Sequence, residues 1–243
     1  MRKLVLFIMV MCFGLAVVAA SSFAEEKALS DEGEVSYVQT DGNTKVSTLS
    51  AKNMVKYKFN DRLLGTWKAG AVNAKTSDVK TAESYFTDLK LDYQNTPRLY
   101  SFVNAGWQQN RFAGVDEHIY GGVGEGYKFL DGPAHFLIGE IGVLYVADKY
   151  TDATKKDYPG GRAFAKYTYA FTEKNKFSQS LEYLNDFNDS QRYFVNSETA
   201  VISALSGIFS LKAAYLVNYT NEPVPATLKK KDSMTTVALV VNY

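Results

Sequence analysis

Several things are scarce in this 243-residue sequence. Its single cysteine, Cys12, sits inside an apolar stretch near the start. Beyond that stretch there can be no disulfide and no thiolate metal site. Proline occurs five times and histidine twice, as His118 and His135. An excess of one charge is missing too. Setting aside Arg2 and Lys3 of the leader segment, 27 basic residues become 25, against 26 acidic ones. That balance excludes a general nucleic-acid binder, which carries a strong basic excess. After residue 20 no apolar run is long enough to cross a membrane as a helix. A chain without staples or a spanning helix needs another way to hold itself together, and a closed barrel is one.

The first residues read as a secretory signal. Arg2 and Lys3 precede an almost wholly apolar run from Leu4 to Ala20, and Ser22-Phe23-Ala24 places small residues at the cleavage positions before Glu25 and Glu26. Cys12 lies within the apolar core, not at its end, where a lipid-attachment cysteine would stand. The expected division is a signal peptide over 1–24 and one domain over 25–243, exported and without disulfides. Its aromatic content is high, with 17 tyrosines and 15 phenylalanines.

The dominant pattern downstream is strict alternation, which marks strands with two unlike faces. Leu89, Leu91 and Tyr93 alternate with Asp88, Lys90, Asp92 and Gln94. Leu49, Ala51, Val55, Tyr57 and Phe59 alternate with Ser50, Lys52, Lys56 and Lys58. A helix would spread these charges around its circumference, whereas a strand separates them. The pattern and its turn residues predict strands near 33–40, 45–59, 62–75, 82–94, 99–111, 118–129, 135–147, 160–172, 176–186, 192–205, 208–219 and 232–243. Most exceed the roughly five or six residues of soluble strands and reach the roughly nine to eleven needed to cross a bilayer at a tilt. Tight turns are expected at 60–61, 95–98, 131–134, 173–175 and 206–207. Longer loops are expected around 76–81, 112–117, 148–159, 187–191 and 220–231, with Asp41-Gly42-Asn43-Thr44 as a tight exception. The fold class is therefore all-β: a transmembrane antiparallel up-and-down barrel of about twelve strands, short turns on the periplasmic side and loops outside.

That topology sorts the outward aromatics into two belts. Tyr57, Phe59, Tyr93, Tyr127, Phe129, Tyr169, Phe171, Phe177, Phe209 and Tyr243 fall near the periplasmic end. Tyr85, Trp107, Tyr145, Tyr183, Tyr193, Tyr215 and Tyr219 fall near the outer end. The last strand, with Val237, Leu239, Val241 and the terminal Tyr243 on one face, has the form that the outer-membrane assembly machinery reads.

Alternation alone does not say which face is inside, since a lipocalin has the same period around an apolar interior. Strand number decides: about twelve strands enclose more space than aliphatic side chains fill well, and a lipid-facing lysine at mid-depth costs roughly 2–4 kcal/mol. Lys52, Lys56, Lys68, Asp88, Lys90, Asp92, Arg162, Lys166, Glu182, Glu198 and Lys212 are accordingly read as lumen residues, lining a pore or paired with one another. Glu140 sets its strand with Leu137, Ile141, Val143 and Tyr145 outward. Glu125 shares a face with Ile119, Val123 and Tyr127, and the glycines around it suggest a bulge that turns it inward.

Three segments in order resemble a known family: Gly42-Asn43-Thr44 after a first strand, Gly114-Val115-Asp116 leading into Gly122-Val123-Gly124-Glu125-Gly126-Tyr127, and Tyr219-Thr220-Asn221-Glu222-Pro223 followed by Asp232-Ser233 and the closing strand. The chain looks like a member of the DUF481 family, sometimes described as salt-induced outer-membrane proteins. The resemblance implies a barrel and an outer-membrane location. It supplies no catalytic residues to carry over. At His118, where arginine is expected in that family, and at the acidic Glu125, this sequence departs from the pattern.

Candidate chemistry is sparse. His118, at the outer end of a strand and facing inward, is the obvious base for a surface hydrolase of lipid or lipopolysaccharide, with Ser84 as a conceivable nucleophile. Its commoner role is that of a rim or lumen hydrogen-bonding residue. His135 falls at the opposite end. Gly121 to Gly126 superficially resembles a phosphate loop, but no helix follows. Lys229-Lys230-Lys231 could meet lipopolysaccharide phosphates, and lysines interleaved with Asp148, Asp152 and Asp157 argue against a cation site. The expectation is a non-enzymatic barrel, a narrow pore or structural envelope protein. It has no cofactor, no metal and no nucleic-acid partner. Its partners are outer-membrane lipids, lipopolysaccharide and the assembly machinery. The alternatives are the His118 hydrolase and a barrel that binds a ligand through its outer loops.

Overall fold

A computed structural model describes residues 28–40 and 46–242. The signal segment with Cys12, the Asp41–Thr44 hairpin and Tyr243 lie outside the described residues. The described residues form a closed antiparallel barrel in which each strand pairs with its sequence neighbours and the last returns to the first. The strands are β1 (Leu29–Thr40), β2 (Val46–Lys58), β3 (Leu63–Thr76), β4 (Val79–Gln94), β5 (Leu99–Asn110), β6 (Val115–Asp131), β7 (His135–Tyr150), β8 (Lys155–Ala170), β9 (Asn175–Asp186), β10 (Tyr193–Ala204), β11 (Phe209–Thr220) and β12 (Lys231–Asn242). Closure leaves no free sheet edge around most of the wall, which is what a lipid-exposed backbone requires. Among the described residues the closing seam is the shortest: β1 meets β12 through Glu32–Val35 against Leu239–Asn242. β7 and β8, by contrast, stay in register from His135 with Tyr169 to Lys149 with Lys155.

The two faces of the wall differ as the alternation requires. Leu89, Ile141, Val143 and Val237 point outward, with Ile141 70% exposed. Glu140, their close neighbour in sequence, is only 4% exposed and points inward. A continuous girdle of such apolar residues is far larger than a water-facing patch tolerates, so the outer wall is a lipid surface. At the end with the tight turns, ring pairs brace it: Tyr57 with Phe59 at 4.8 Å and Tyr127 with Phe129 at 5.1 Å between centroids. At the other end Tyr193 lies 5.9 Å from Tyr183 and 6.0 Å from Tyr219.

Two expectations are corrected. The connections at the loop end are mostly short, because the strands run further than their alternation shows. β3 and β4 join through Ser77 and Asp78 alone, both at positive φ, 48° and 66°. This is the backbone of a tight hairpin turn that usually takes Gly or Asn. β7 continues to Tyr150 and β8 begins at Lys155, so most of 148–159 is strand. Among the described residues only 221–230 makes a long loop there. Glu125 is not turned inward either. The bulges in β6 lie at Val115/Glu117 and Lys128/Leu130, and the ladder between them is regular. Glu125 stays on the outer face, where it accepts a hydrogen bond from Ser101 Oγ at 2.7 Å. Asn95 donates to the same Ser101 hydroxyl at 2.7 Å.

Candidate functional site: the charged lumen

The lumen is shaped first by what β6 leaves out. Its inward positions 122, 124 and 126 are glycines, and the side chains of β5 lie across them. A Cβ on Gly126 would stand 2.1 Å from the Tyr100 ring, and one on Gly124 2.6 Å from Phe102. The missing side chains let Tyr100 and Phe102, 6% and 3% exposed, pack flat against the wall. This glycine run is strand, not a phosphate cradle.

Tyr100 then meets the hub of the lumen, Glu140. Its hydroxyl donates to Glu140 Oε1 at 2.7 Å. Lys90 Nζ reaches the same oxygen at 2.5 Å, and Arg162 reaches Oε2 at 2.8 Å. Arg162 also holds Glu182 at 2.6 Å, and Lys90 also holds Asp92 at 2.8 Å. Lys90 lies over the Phe102 ring at 4.7 Å and Arg162 over Phe164 at 5.0 Å. Lys90 belongs to β4 and Glu140 to β7, so their pair spans a chord of the barrel and narrows it. A carboxylate that is buried this far is tolerated only with its charge and lone pairs met, and Glu140 has three donors.

A second group closes the side of the lumen around β1, β2, β10 and β11. Lys212 bonds Glu34 at 2.9 Å and Glu198 at 3.0 Å, and Lys52 lies 3.9 and 3.8 Å from the same two carboxylates. The inward neighbours here are small: Ser50, Ala200, Ala214 and Ala238 are all buried. This half of the lumen is filled.

A third group lies toward the loop end. Arg192, in the turn before β10, is 1% exposed. It bonds Asp148 at 2.9 Å, lies 3.6 Å from Asp186 and stacks over Tyr158 at 4.5 Å. It also donates to the Tyr150 hydroxyl, which itself donates to Asp148 at 2.9 Å. His118 Nδ1 meets the other oxygen of Asp148 at 2.6 Å. This is the base-and-orienter half of a catalytic arrangement. The other half is lacking, since no hydrogen bond joins His118 to Ser84 or to any other hydroxyl among the described residues. His135 stacks on Tyr169 at 4.7 Å at the far end. Among the described residues no group of His, Cys, Asp and Glu is arranged to hold a metal ion. In the short loop outside the wall, the Thr154 amide and hydroxyl hold the Asp152 carboxyl below its ordinary range.

Between these groups runs a cavity of about 900 Å³. Its lining starts at Lys58, Asn60 and Arg62 by the tight turns and continues past Lys90, Glu140 and Arg162. It ends at Asn218 in β11 and at Glu222 and Val224 in the long loop. Of the charged positions read from the sequence, Lys56, Lys68, Asp88, Lys90, Asp92, Arg162, Lys166 and Glu182 line this cavity. Lys52, Glu198 and Lys212 are in the filled half. The sequence reading lacked Glu34, Arg192, Asp148 as a strand residue, and the inward tyrosines 100, 120, 150 and 158. Glu34 alternates with Val35 and Tyr37 and could have been found. Arg192, at the start of the strand expected over 192–205 and on the same face as Glu198, could have been found too, although β10 itself begins at Tyr193.

Comparison with known proteins agrees with this architecture. A family profile described as "Protein of unknown function, DUF481" matches residues 33–243. The chain is 30% identical over 203 residues to "Uncharacterized protein YdiY" of Escherichia coli (strain K12), covering 84% of this chain and 79% of that one. Among solved structures it is similar to the COG4313 outer membrane channel from Pseudomonas putida F1. The TM-score is 0.55 at 9% identity, with 91% of this chain and all of that one covered, a likeness of fold.

Proposed function

The chain belongs to the DUF481 family, and from that membership and its outer-membrane-type barrel we propose that it is a narrow passive pore of the bacterial outer membrane. One observation carries this reading: one cavity lined by charged residues takes its lining from both ends of the barrel, Lys58 to Arg62 at one and Glu222 to Val224 at the other. A purely structural barrel of this size would gain more by packing the space, as the side around Ala200, Ala214 and Ala238 does. The chords made by Lys90, Glu140 and Arg162 restrict the passage to small hydrophilic solutes. The tight-turn end faces the periplasm and the 221–230 loop faces outward, toward lipopolysaccharide.

The test is single-channel recording in a planar lipid bilayer. Small, discrete and reproducible steps are expected. A protein that is folded, shown by its heat-modifiable gel mobility, yet gives no steps would overturn the reading.

A further inference from the structure

The lumen sorts its cations into two kinds. Lys52, Lys90, Arg162, Arg192 and Lys212 are each engaged by carboxylates. Apart from Arg62 in the turn at the cavity's end, three cations line the cavity without an ion pair among the described residues: Lys56, Lys68 and Lys166. They come from β2, β3 and β8, and each lies inward: Lys56 opposite Thr66, Lys68 opposite Asp88, Lys166 opposite Ser180. Lys166 is within electrostatic reach of both Lys56 and Lys68. The carboxylates nearby bond other groups, although Asp88 also acts on Lys68 and Glu198 on Lys166 through space. Asp88 accepts the Tyr120 hydroxyl at 2.6 Å, Asp92 is held by Lys90, and Glu198 by Lys212. Glu32 acts on Lys166 but makes no ion pair with it.

Three ammonium groups facing one confined space repel one another, and a wall of low polarizability strengthens that repulsion. A chain that pairs Lys52, Lys90, Arg162, Arg192 and Lys212 with carboxylates leaves these three lining the cavity. Thr66 and Thr168 line the cavity beside them and offer hydroxyl donors. The arrangement suits a small oxyanion, which takes charge-assisted hydrogen bonds from several ammonium groups at once.

We propose that Lys56, Lys68 and Lys166 form a binding station in the lumen for a small oxyanion of the phosphate or carboxylate class, and that it makes the pore anion-selective. This rests on the pore reading for selectivity but not for binding, so the two are tested apart. Inorganic phosphate and succinate are titrated calorimetrically, each in turn, into the full barrel purified from membranes in detergent. The same is done for a Lys56→Gln/Lys68→Gln/Lys166→Gln variant. A Lys75→Gln/Lys80→Gln/Lys155→Gln variant removes the same charge from the rim, and heat-modifiability verifies that every variant is folded. At least one probe is expected to bind, with affinity falling more than about tenfold in the lumen variant and unchanged in the rim variant. The stronger probe identifies the class. No binding of either probe, or binding that survives the lumen substitutions, overturns the station. Reversal potentials across a salt gradient then read selectivity, which is expected to favour anions and to move toward cations in the lumen variant. Binding without any current would refute the pore and leave the station standing. Current without binding would do the opposite.

Discussion

Replacing Glu140 by alanine removes the acceptor that Lys90, Arg162 and the Tyr100 hydroxyl share, at 2.5, 2.8 and 2.7 Å. Breaking a buried ion pair from one side costs about 3–5 kcal/mol, because the partner charge is left behind. Here the remaining cations keep some recourse. Arg162 still has Glu182 and Lys90 still has Asp92, and the Lys90 side chain is 24% exposed to a wet cavity. The expected loss is therefore at or just below the low end, about 2–3 kcal/mol. Urea unfolding in lipid vesicles measures it, with an unchanged slope and a lower midpoint. The two tryptophans, Trp67 and Trp107, report the transition, since neither sits in the lumen network. A companion variant, Glu140→Met with Lys90→Met and Arg162→Met, removes the charges together and should recover most of the loss. Alanine at 140 with stability within about 0.5 kcal/mol of the parent would show that the network is not coupled through this carboxylate, and the reasoning would fall.

Gly126→Ala should cost about 1–3 kcal/mol in the same assay, because its methyl group would displace the Tyr100 ring from the wall. Gly114 has φ +83°, and a Cβ there would lie 2.1 Å from the Val224 carbonyl oxygen, so Gly114→Ala should unseat the 221–230 loop. Faster trypsin cleavage at Lys229–Lys231 in the folded barrel would register this, and an unchanged rate would refute it. Glu125→Leu should raise stability in lipid vesicles by up to about 1 kcal/mol, since a carboxylate on the lipid face is a cost, smaller near the interface. A decrease would mean that its bond with Ser101 outweighs that cost.

The barrel was legible because period two survives wherever one face meets lipid. It fails where that contrast ends. Past the apolar girdle both faces of a strand are polar, so Asp148–Tyr150 and Lys155–Asp157 read as loop although they continue β7 and β8. The turn at Ser77–Asp78 went unread because it achieves its backbone without glycine. Glu125 was assigned inward on the assumption that a lipid-facing carboxylate is excluded, whereas this one has a local hydroxyl donor. Alternation also identifies a face but not a partner. The pairing of Lys90 with Glu140, fifty residues away, follows from closure of the barrel and from the glycines that let Tyr100 lie flat.

The short joint between β1 and β12 gives the hoop a single weak weld. Every other joint unites strands adjacent in the chain, so each can form while the rest is loose. The joint of Glu32–Val35 with Leu239–Asn242 brings together distant parts of the sequence and pays the largest loop-closure entropy for the fewest ladder pairs among the described residues. By that entropy it should be the last to set when the barrel is built and the first to part under load. Hydrogen exchange of its amides should therefore outpace that of the β7–β8 ladder, where the wall is most deeply laced.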